Sequence, residues 1–213
     1  GLAGDVSGKR VCDLACGEGH LSRALAEKGA LVTGVDLSQN LLEHAKRQSA
    51  GHSIHFIRDD AQTLNQLQLN SLDLVICNMA LMDIPDIGLV YQAVNKILRD
   101  GGIFIFSVLH PCFETPFTVP ETITEADETG NFVACRVMHY TQEGHWNSGG
   151  TGMRGTVGAH HRTLSSYINH LLKNGFQLKD LAEPTLPPDT YQTFREQWSS
   201  KIPRALIVVS EKH

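Results

Sequence analysis

Val11 to Asp36 reads VCDLACGEGHLSRALAEKGALVTGVD, and four positions in it could do chemistry together: Asp13, the glycines Gly17 and Gly19, and Asp36. Glycines let a backbone approach a ligand closely and set the N-terminus of the next helix beside it, where N–H groups point outward. An acid at the end of the following strand, within the roughly 20-residue reach of such a unit, can accept hydrogen bonds from both hydroxyls of a ribose. The ligand read from this spacing therefore carries a ribose. A nicotinamide dinucleotide meets that requirement, but its fingerprint wants small residues at three spaced positions, whereas this turn runs Gly17-Glu18-Gly19-His20-Leu21-Ser22. Asp13, inside the strand, suits a cationic ligand end better than a pyrophosphate. A further acid closes Arg58-Asp59-Asp60-Ala61, and ICNMALMDIPD, Ile76 to Asp86, ends another apolar run.

These residues need a scaffold that gathers strand ends. Lys9 to Cys16 predicts a short buried strand, Leu21 to Lys28 a helix ended by Gly29, and Ala30 to Asp36 a β-branched strand, which together make a βαβ unit. Ser38 is placed to cap a helix running to Gln48, Ile54 to Asp60 reads as a third strand and Leu72 to Met79 as a fourth. Ile87, Val90, Val94 and Ile97 give Pro85 to Leu98 helical spacing, Asp100-Gly101-Gly102 closes it, and Ile103 to Leu109 is a fifth strand. His110 to His161 breaks the alternation with Gly, Thr, Pro and His and only weak strand signals, around Phe132 to Tyr140, and reads as an insertion. Thr163 to Lys173 then predicts a helix capped by Gly175, Phe176 to Glu183 a strand, Tyr191 to Ser199 a short helix and Ala205 to Ser210 a last strand. Repeated β then α predicts a parallel sheet covered on both faces, with ligands at the carboxyl ends of the strands where their order reverses.

Composition narrows the partners. At 213 residues and 41% hydrophobic content the chain fits one domain, 1–213. A formal charge of −5 lacks the basic excess that holds a phosphate backbone, so no nucleic-acid partner is expected. No apolar run approaches the roughly 20 residues of a membrane span and no signal pattern opens the chain, which points to a cytoplasmic protein without a membrane partner. Five cysteines without a C-x-x-C pair fit free thiols in a reducing compartment. The chain starts at Gly1, without an initiator Met, and reaches its first strand almost at once.

Read in order, VCDLACGEG, VDLS, RDDA, LDLVICNMALMDIPD, LRDGGIFIFSVLHP and HRTLSSYINHLLKNGF resemble the class I S-adenosylmethionine-dependent methyltransferases of the broad small-molecule kind called type 11, over nearly the whole chain. The resemblance implies a Rossmann-like α/β fold with a seven-stranded, mostly parallel sheet whose last strand is antiparallel, helices on both faces, and residues 110–161 as a lid and substrate insertion after the fifth strand. It implies that S-adenosylmethionine is the cofactor, leaving as S-adenosylhomocysteine. Asp13, Ala15, Gly17 and Gly19 would surround its methionine part, Asp36 hold the ribose, Leu37 pack on adenine, Asp60 and the Ala61 backbone meet the adenine edge, and Asn78 and Met79 close the pocket below the sulfonium. Ala15 departs from the glycine many members carry. Many relatives also carry helices ahead of the first strand, and whether such a segment precedes Gly1 stays open.

The expected reaction moves a methyl group to an O or N atom of a small-molecule acceptor in a monomer or homodimer. A tRNA methyltransferase, a nicotinamide-dependent oxidoreductase and a non-catalytic cofactor-binding subunit are the alternatives. His110, ending the fifth strand, is the first candidate for general base or substrate orienter, and His161 the second. Each could instead be a turn or helix-start contact. Phe113, Phe117, Tyr140, Trp146 and His160 could wall a substrate or anchor a long loop. No two of the 11 histidines have the i, i+4 spacing of a helix metal site, so no metal is expected. Pro111-Cys112 follows the fifth strand rather than the fourth, where cytosine C5-methyltransferases place their nucleophile, so Cys112 reads as a packing residue. Asp36 could merely serve the helix start after it, Asp60 be a solvated strand end, Asp13 tie down the turn's amides and Leu37 belong to the core.

Overall fold

A computed structural model describes residues 2–114, 119–123, 132–147, 158–185 and 202–213. Five strands, β1 (Arg10–Leu14), β2 (Leu31–Asp36), β3 (Ile54–Arg58), β4 (Leu72–Asn78) and β5 (Leu98–Leu109), alternate with α1 (His20–Glu27), α2 (Gln39–Gln48) and α3 (Ile87–Ile97). Two short hairpins follow, β6 (Val119–Ile123) with β7 (Phe132–Arg136) and β8 (Gly144–Trp146) with β9 (Ala159–His161). The chain then forms α4 (Leu164–Lys173), β10 (Phe176–Ala182) and β11 (Ala205–Lys212).

The main sheet has seven strands in the order β10-β11-β5-β4-β1-β2-β3. Strands β1 to β5 pair in parallel, and β11 runs antiparallel to both β5 and β10. The seven-stranded Rossmann-like sheet with an antiparallel last strand is therefore the one expected. Strand order reverses at β1, which has β2 on one side and β4 on the other, and the carboxyl ends of β1, β2, β3 and β4 share one edge.

Successive side chains of a strand point to opposite faces, and both faces here are buried, which is why the strands read as continuous apolar runs. Cys12, Val75, Cys77, Phe104 and Phe106 pack with Tyr91 and Val94 of α3 and Tyr167 and Leu171 of α4. Val11, Leu74, Ile76, Ile105 and Val209 pack on the other side with Leu25 of α1. Side-chain oxygens start three helices: Ser38, Asp86 and Thr163 accept from the amides of Leu41, Leu89 and Ser166. Helix α1 has no such cap, and its N-cap is Gly19 at φ +75°.

Most boundaries shift by one or two residues, and some differences are larger. Strand β5 begins at Leu98 because Leu98 pairs with Leu72, and the ladder reaches Ile103 through a register shift with Gly101 at φ +70°. Strand β3 stops at Arg58, so Asp59 and Asp60 belong to the turn beyond it. Strand β11 continues to Lys212, and a 3₁₀ turn at Leu81–Asp83 follows β4. The insertion holds two antiparallel strand pairs, and β7 lies where the weak strand signals around Phe132–Tyr140 stood. The helix expected over 191–199 lies outside the described residues, as does Phe117. Cys12, Cys16, Cys77 and Cys112 are free thiols. Among the described residues no helix is long and apolar enough to cross a membrane.

Candidate active site

The turn leaving β1 is forced into a tight curl. Ala15, Gly17 and Gly19 take φ of +54°, +53° and +75°. Nothing lies within 4 Å of where a Gly17 Cβ would stand, so the left-handed backbone, not crowding, is what asks for glycine there. The Gly17 amide donates to Asp36 Oδ2 at 2.8 Å and the Ser38 amide to Asp36 Oδ1 at 2.8 Å. Asp36 thus ties the β1 turn to the β2 turn, while the cap of α2 is Ser38. Each carboxylate oxygen keeps a second acceptor site for a ligand.

Around this pair lies an open cleft of about 190 Å³, lined by Leu14, Ala15, Val35, Asp36, Leu37, residues 59–62 and residues 83–85. It spans the ends of β1, β2 and β3 at the point where strand order reverses, where ligands of such sheets sit. Five expected residues, Ala15, Asp36, Leu37, Asp60 and Ala61, meet in its wall. Leu37 is 62% exposed, so it is a rim residue rather than part of the core. Asp60 Oδ1 accepts from the Gln62 amide at 2.9 Å, and the Gln62 side chain reaches it at 3.3 Å. Gln62 Oε1 also accepts from the Asp86 amide at the start of α3, so it joins the two sides of the cleft.

Asp13 lies below this wall, 2% exposed, and takes the Ser22 hydroxyl at 2.5 Å. Burial pushes its carboxyl up to about 6, with the Ser22 hydrogen bonds opposing and the Asp36 charge adding to the rise. It anchors α1 rather than the turn's amides. Asn78 and Met79 stand at the end of β4, outside the wall. Asn78 Oδ1 accepts the Ser107 hydroxyl at 2.7 Å, and the Met79 amide bonds Ser107, with Met79 at φ +55°. Left-handed non-glycine residues at two adjacent strand ends, Ala15 and Met79, mark the strained backbone that functional sites tolerate.

A second, small cavity of about 20 Å³ lies under the β8–β9 pair, lined by Met82, Leu109, Pro111, Glu114, Trp146, Ala159, His160, His161, Arg162 and Tyr167. The 3₁₀ turn separates the two spaces, with Asp83 in the wall of the cleft and Met82 in that of the cavity. Arg162, buried, fastens the chain there by donating to the carbonyls of Leu81 at 3.1 Å and of Ile84 and Pro85, both at 2.6 Å.

Of the expected substrate residues, Trp146 and His160 line this cavity, and so does His161. Phe113 and Tyr140 do not. Phe113 stacks on His110 with centroids 4.6 Å apart, and the Tyr140 hydroxyl accepts from the Leu164 amide at 2.8 Å. His110 is 1% exposed and occupied at both nitrogens: Nδ1 accepts from the Cys112 amide at 3.2 Å, which leaves the proton on Nε2 for Glu183 at 2.7 Å. His161 Nε2 donates to the Tyr140 carbonyl at 2.7 Å. Glu143 accepts from the Thr163 amide and hydroxyl. Burial alone would raise its carboxyl, but those bonds and His161 nearby hold it below the usual range.

Sequence reasoning missed Asp83, Ile84, Pro85, Gln62 and Arg162. The first three belong to the ICNMALMDIPD stretch, where only Asn78 and Met79 were singled out, although Pro85 and a helix cap just after a strand end already mark a turn able to face a ligand. Nothing in sequence spacing pairs Arg162 with carbonyls some 80 positions earlier.

Residues 5–158 match a family model described as a methyltransferase domain. A solved S-adenosylmethionine-dependent methyltransferase from Mesorhizobium loti superposes with a TM-score of 0.81 at 28% identity, covering 98% of this chain and 93% of that one. The ubiquinone biosynthesis O-methyltransferase of Coxiella burnetii is 30% identical over 182 residues, 81% of this chain and 73% of its own length. That of Idiomarina loihiensis is 40% identical over 105 residues, 48% of this chain, which spans only 43% of that protein. A family match over most of the chain, on a sheet whose reversal point carries the acid-walled cleft, makes this chain a member of the class I S-adenosylmethionine-dependent methyltransferases, an enzyme family that takes S-adenosylmethionine as cofactor.

Proposed function

We propose that the chain transfers a methyl group to an oxygen or nitrogen of a small-molecule acceptor, with the cofactor in the cleft at the strand ends and the acceptor approaching from beyond the 3₁₀ turn. The observation that carries this reading is the acid wall of the cleft at the point where strand order reverses. The cleft wall holds four carboxylates, Asp36, Asp59, Asp60 and Asp83, and no cationic side chain among the described residues. A sulfonium, an amino group and ribose hydroxyls suit such a wall, whereas a pyrophosphate would meet only negative charge. The residues present therefore fit S-adenosylmethionine, which when bound supplies an electrophilic methyl group.

Asp36 takes the ribose hydroxyls on the acceptor sites its two amides leave open. Leu37 covers the adenine, Asp60 accepts from its amino group and Ala61 offers backbone. The curled turn from Ala15 to Gly19 receives the methionine end, and Asn78 and Met79 bound the path from the cleft toward β5. What the protein adds is mainly orientation and exclusion of water, with Met82 and Trp146 shaping the acceptor side. The relatives named O-methyltransferases support an oxygen acceptor, and the −5 charge supports a small molecule over nucleic acid.

Calorimetry tests the cofactor half: S-adenosylhomocysteine should bind at micromolar concentrations and NAD should not bind comparably, and the reverse preference would refute it. Methyl-labelled cofactor offered with a metabolite extract tests the other half. Label should enter a small organic product, and label entering only nucleic acid or protein would refute the acceptor class.

A further inference from the structure

We propose that Gln62 is the positioning residue that makes the cleft select an adenine base. It holds the Asp60 carboxylate as a fixed acceptor between the turn after β3 and the start of α3, so the site takes a base whose edge carries an amino group and refuses one with a carbonyl there. This rests on the function proposed above and names what decides base recognition at the same site.

Gln62 serves both sides of the cleft at once. Its Oε1 accepts from the Asp86 amide at 3.2 Å, its Nε2 lies 3.3 and 3.4 Å from Asp60 Oδ1 and Oδ2, and its own amide donates to Asp60 Oδ1 at 2.9 Å. A main-chain N–H can only donate, so the side-chain atom that meets Asp86 is the oxygen and the NH₂ group is turned to Asp60. The far side of the cleft thus sets the orientation of the amide, and both oxygens of Asp60 act as acceptors. The main chain of Asp60 is fixed as well: its carbonyl accepts from the Thr63 and Leu64 amides at 3.0 and 2.9 Å, and its amide donates to Asp59 Oδ1 at 2.8 Å. Asp59 Oδ2 takes the Gln66 amide at 2.8 Å, so this neighbouring acid holds the turn. Asp60 and Gln62 are half-buried in the cleft wall. Among the described residues Asp60 Oδ2 has only the 3.4 Å contact, which leaves it the oxygen best able to accept from a ligand.

A fixed carboxylate pairs with an N–H and repels a carbonyl. Adenine presents an amino group on the edge where hypoxanthine presents an oxygen, and the ring nitrogen next to it is an acceptor in adenine and an N–H in hypoxanthine. Against Asp60 and the Ala61 amide the first base meets complementary groups, and the second meets like groups at both positions. A site built around a hydrogen bond rejects the analogue that lacks the donor far more strongly than a pocket of matching shape does. Gln62 is what keeps that bond in place. Asp36, Asp59 and Asp83 share the wall, so their charge would push an untethered Asp60 toward solvent, and a base would have to order it again on binding.

The test is calorimetry with S-adenosylhomocysteine and S-inosylhomocysteine, which differ only at that edge of the base. Wild type should favour the adenosyl ligand by about 100-fold or more. Gln62→Met, close in volume but without hydrogen-bonding groups, and Gln62→Glu, which sets a second carboxylate against the first, should each narrow that ratio by about tenfold or more, chiefly through weaker adenosyl binding. The ratio separates positioning from a general loosening of the fold, which would weaken both ligands alike. Asp86→Ala is the control: it removes the side-chain cap on the Leu89 amide at the start of α3 but keeps the main-chain amide that Gln62 uses, so it should lower thermal stability and leave the ratio unchanged. If wild type binds the two ligands alike, if a folded Gln62 variant keeps the wild-type ratio, or if Asp86→Ala narrows it as much as Gln62→Met does, the inference is overturned while the methyltransferase reading stands. Failure of wild type to bind S-adenosylhomocysteine would strike the parent reading, and the inference with it.

Discussion

The cleft and the cavity share the 3₁₀ turn and are assembled in opposite ways. The cleft takes its wall from the ends of neighbouring strands and the turns that leave them, so each acid sits just after an apolar run. The cavity is gathered from segments at Met82, Leu109 to Glu114, Trp146, Ala159 to Arg162 and Tyr167, which approach only when the insertion folds back on α4. The first has only acids among its charged side chains, and the second has Arg162 and two histidines with one already paired acid. A cleft built from consecutive motifs is fixed by the sheet itself. A cavity built from distant pieces depends on the clamps between them.

Arg162 is the clamp whose loss should do most damage, because it serves both sides. Arg162→Met leaves three main-chain carbonyls without their cation, and unsatisfied buried groups cost roughly 1–3 kcal/mol each, so a loss of about 3 kcal/mol or more is expected in urea unfolding. Arg162→Lys should recover only part of it, since an ammonium cannot fork across three acceptors. Full stability in the methionine variant would separate the two cavities.

Asp13 should matter to the cleft alone. Its folded carboxyl titrates near 6 against an ordinary 3.8, so the stability linked to its proton is fully present below about pH 4 and lost as pH rises through about 6. Asp13→Asn should remove this pH dependence and make the protein more stable at pH 7, by about 3 kcal/mol at most on the linkage arithmetic. If Asp13 also faces the cationic methionine end, the same variant binds S-adenosylhomocysteine more weakly. Unchanged affinity would leave it a role only beneath α1.

The smallest effect is expected at Ala15. A left-handed alanine costs about 1 kcal/mol, partly offset by the greater freedom of glycine in the unfolded chain. Ala15→Gly should therefore raise stability by about 0.5 kcal/mol, a shift of roughly 1–2 °C in Tm. A fall in Tm would show that the turn is held by something other than its backbone angles.

The contrast between the sites also explains what the sequence could disclose. Asp36 and Gly17 are legible because the βαβ unit fixes their spacing, and the structure joins them by a hydrogen bond. His110 is conspicuous at a strand end, yet it is spent on Cys112 and Glu183, and no local pattern reveals a partner 73 positions away. His160 carries no sequence mark beyond its neighbour His161, and only the pairing of β8 with β9 brings its ring against His145. Tyr140 shows the same limit from the other side, an aromatic in the insertion whose hydroxyl holds the start of α4 rather than a ligand wall.

The central claim is that the acid cleft, and not the cavity, holds the cofactor. The most direct measurement is calorimetric titration of S-adenosylhomocysteine into wild type, Asp36→Ala, Asp36→Asn and Trp146→Ala. Charge-assisted hydrogen bonds contribute about 1.5–3 kcal/mol each, so Asp36→Ala should weaken binding tenfold or more, Asp36→Asn less, and Trp146→Ala hardly at all. A folded Asp36→Ala protein that binds as tightly as wild type, or a Trp146→Ala protein that loses the ligand, would contradict it.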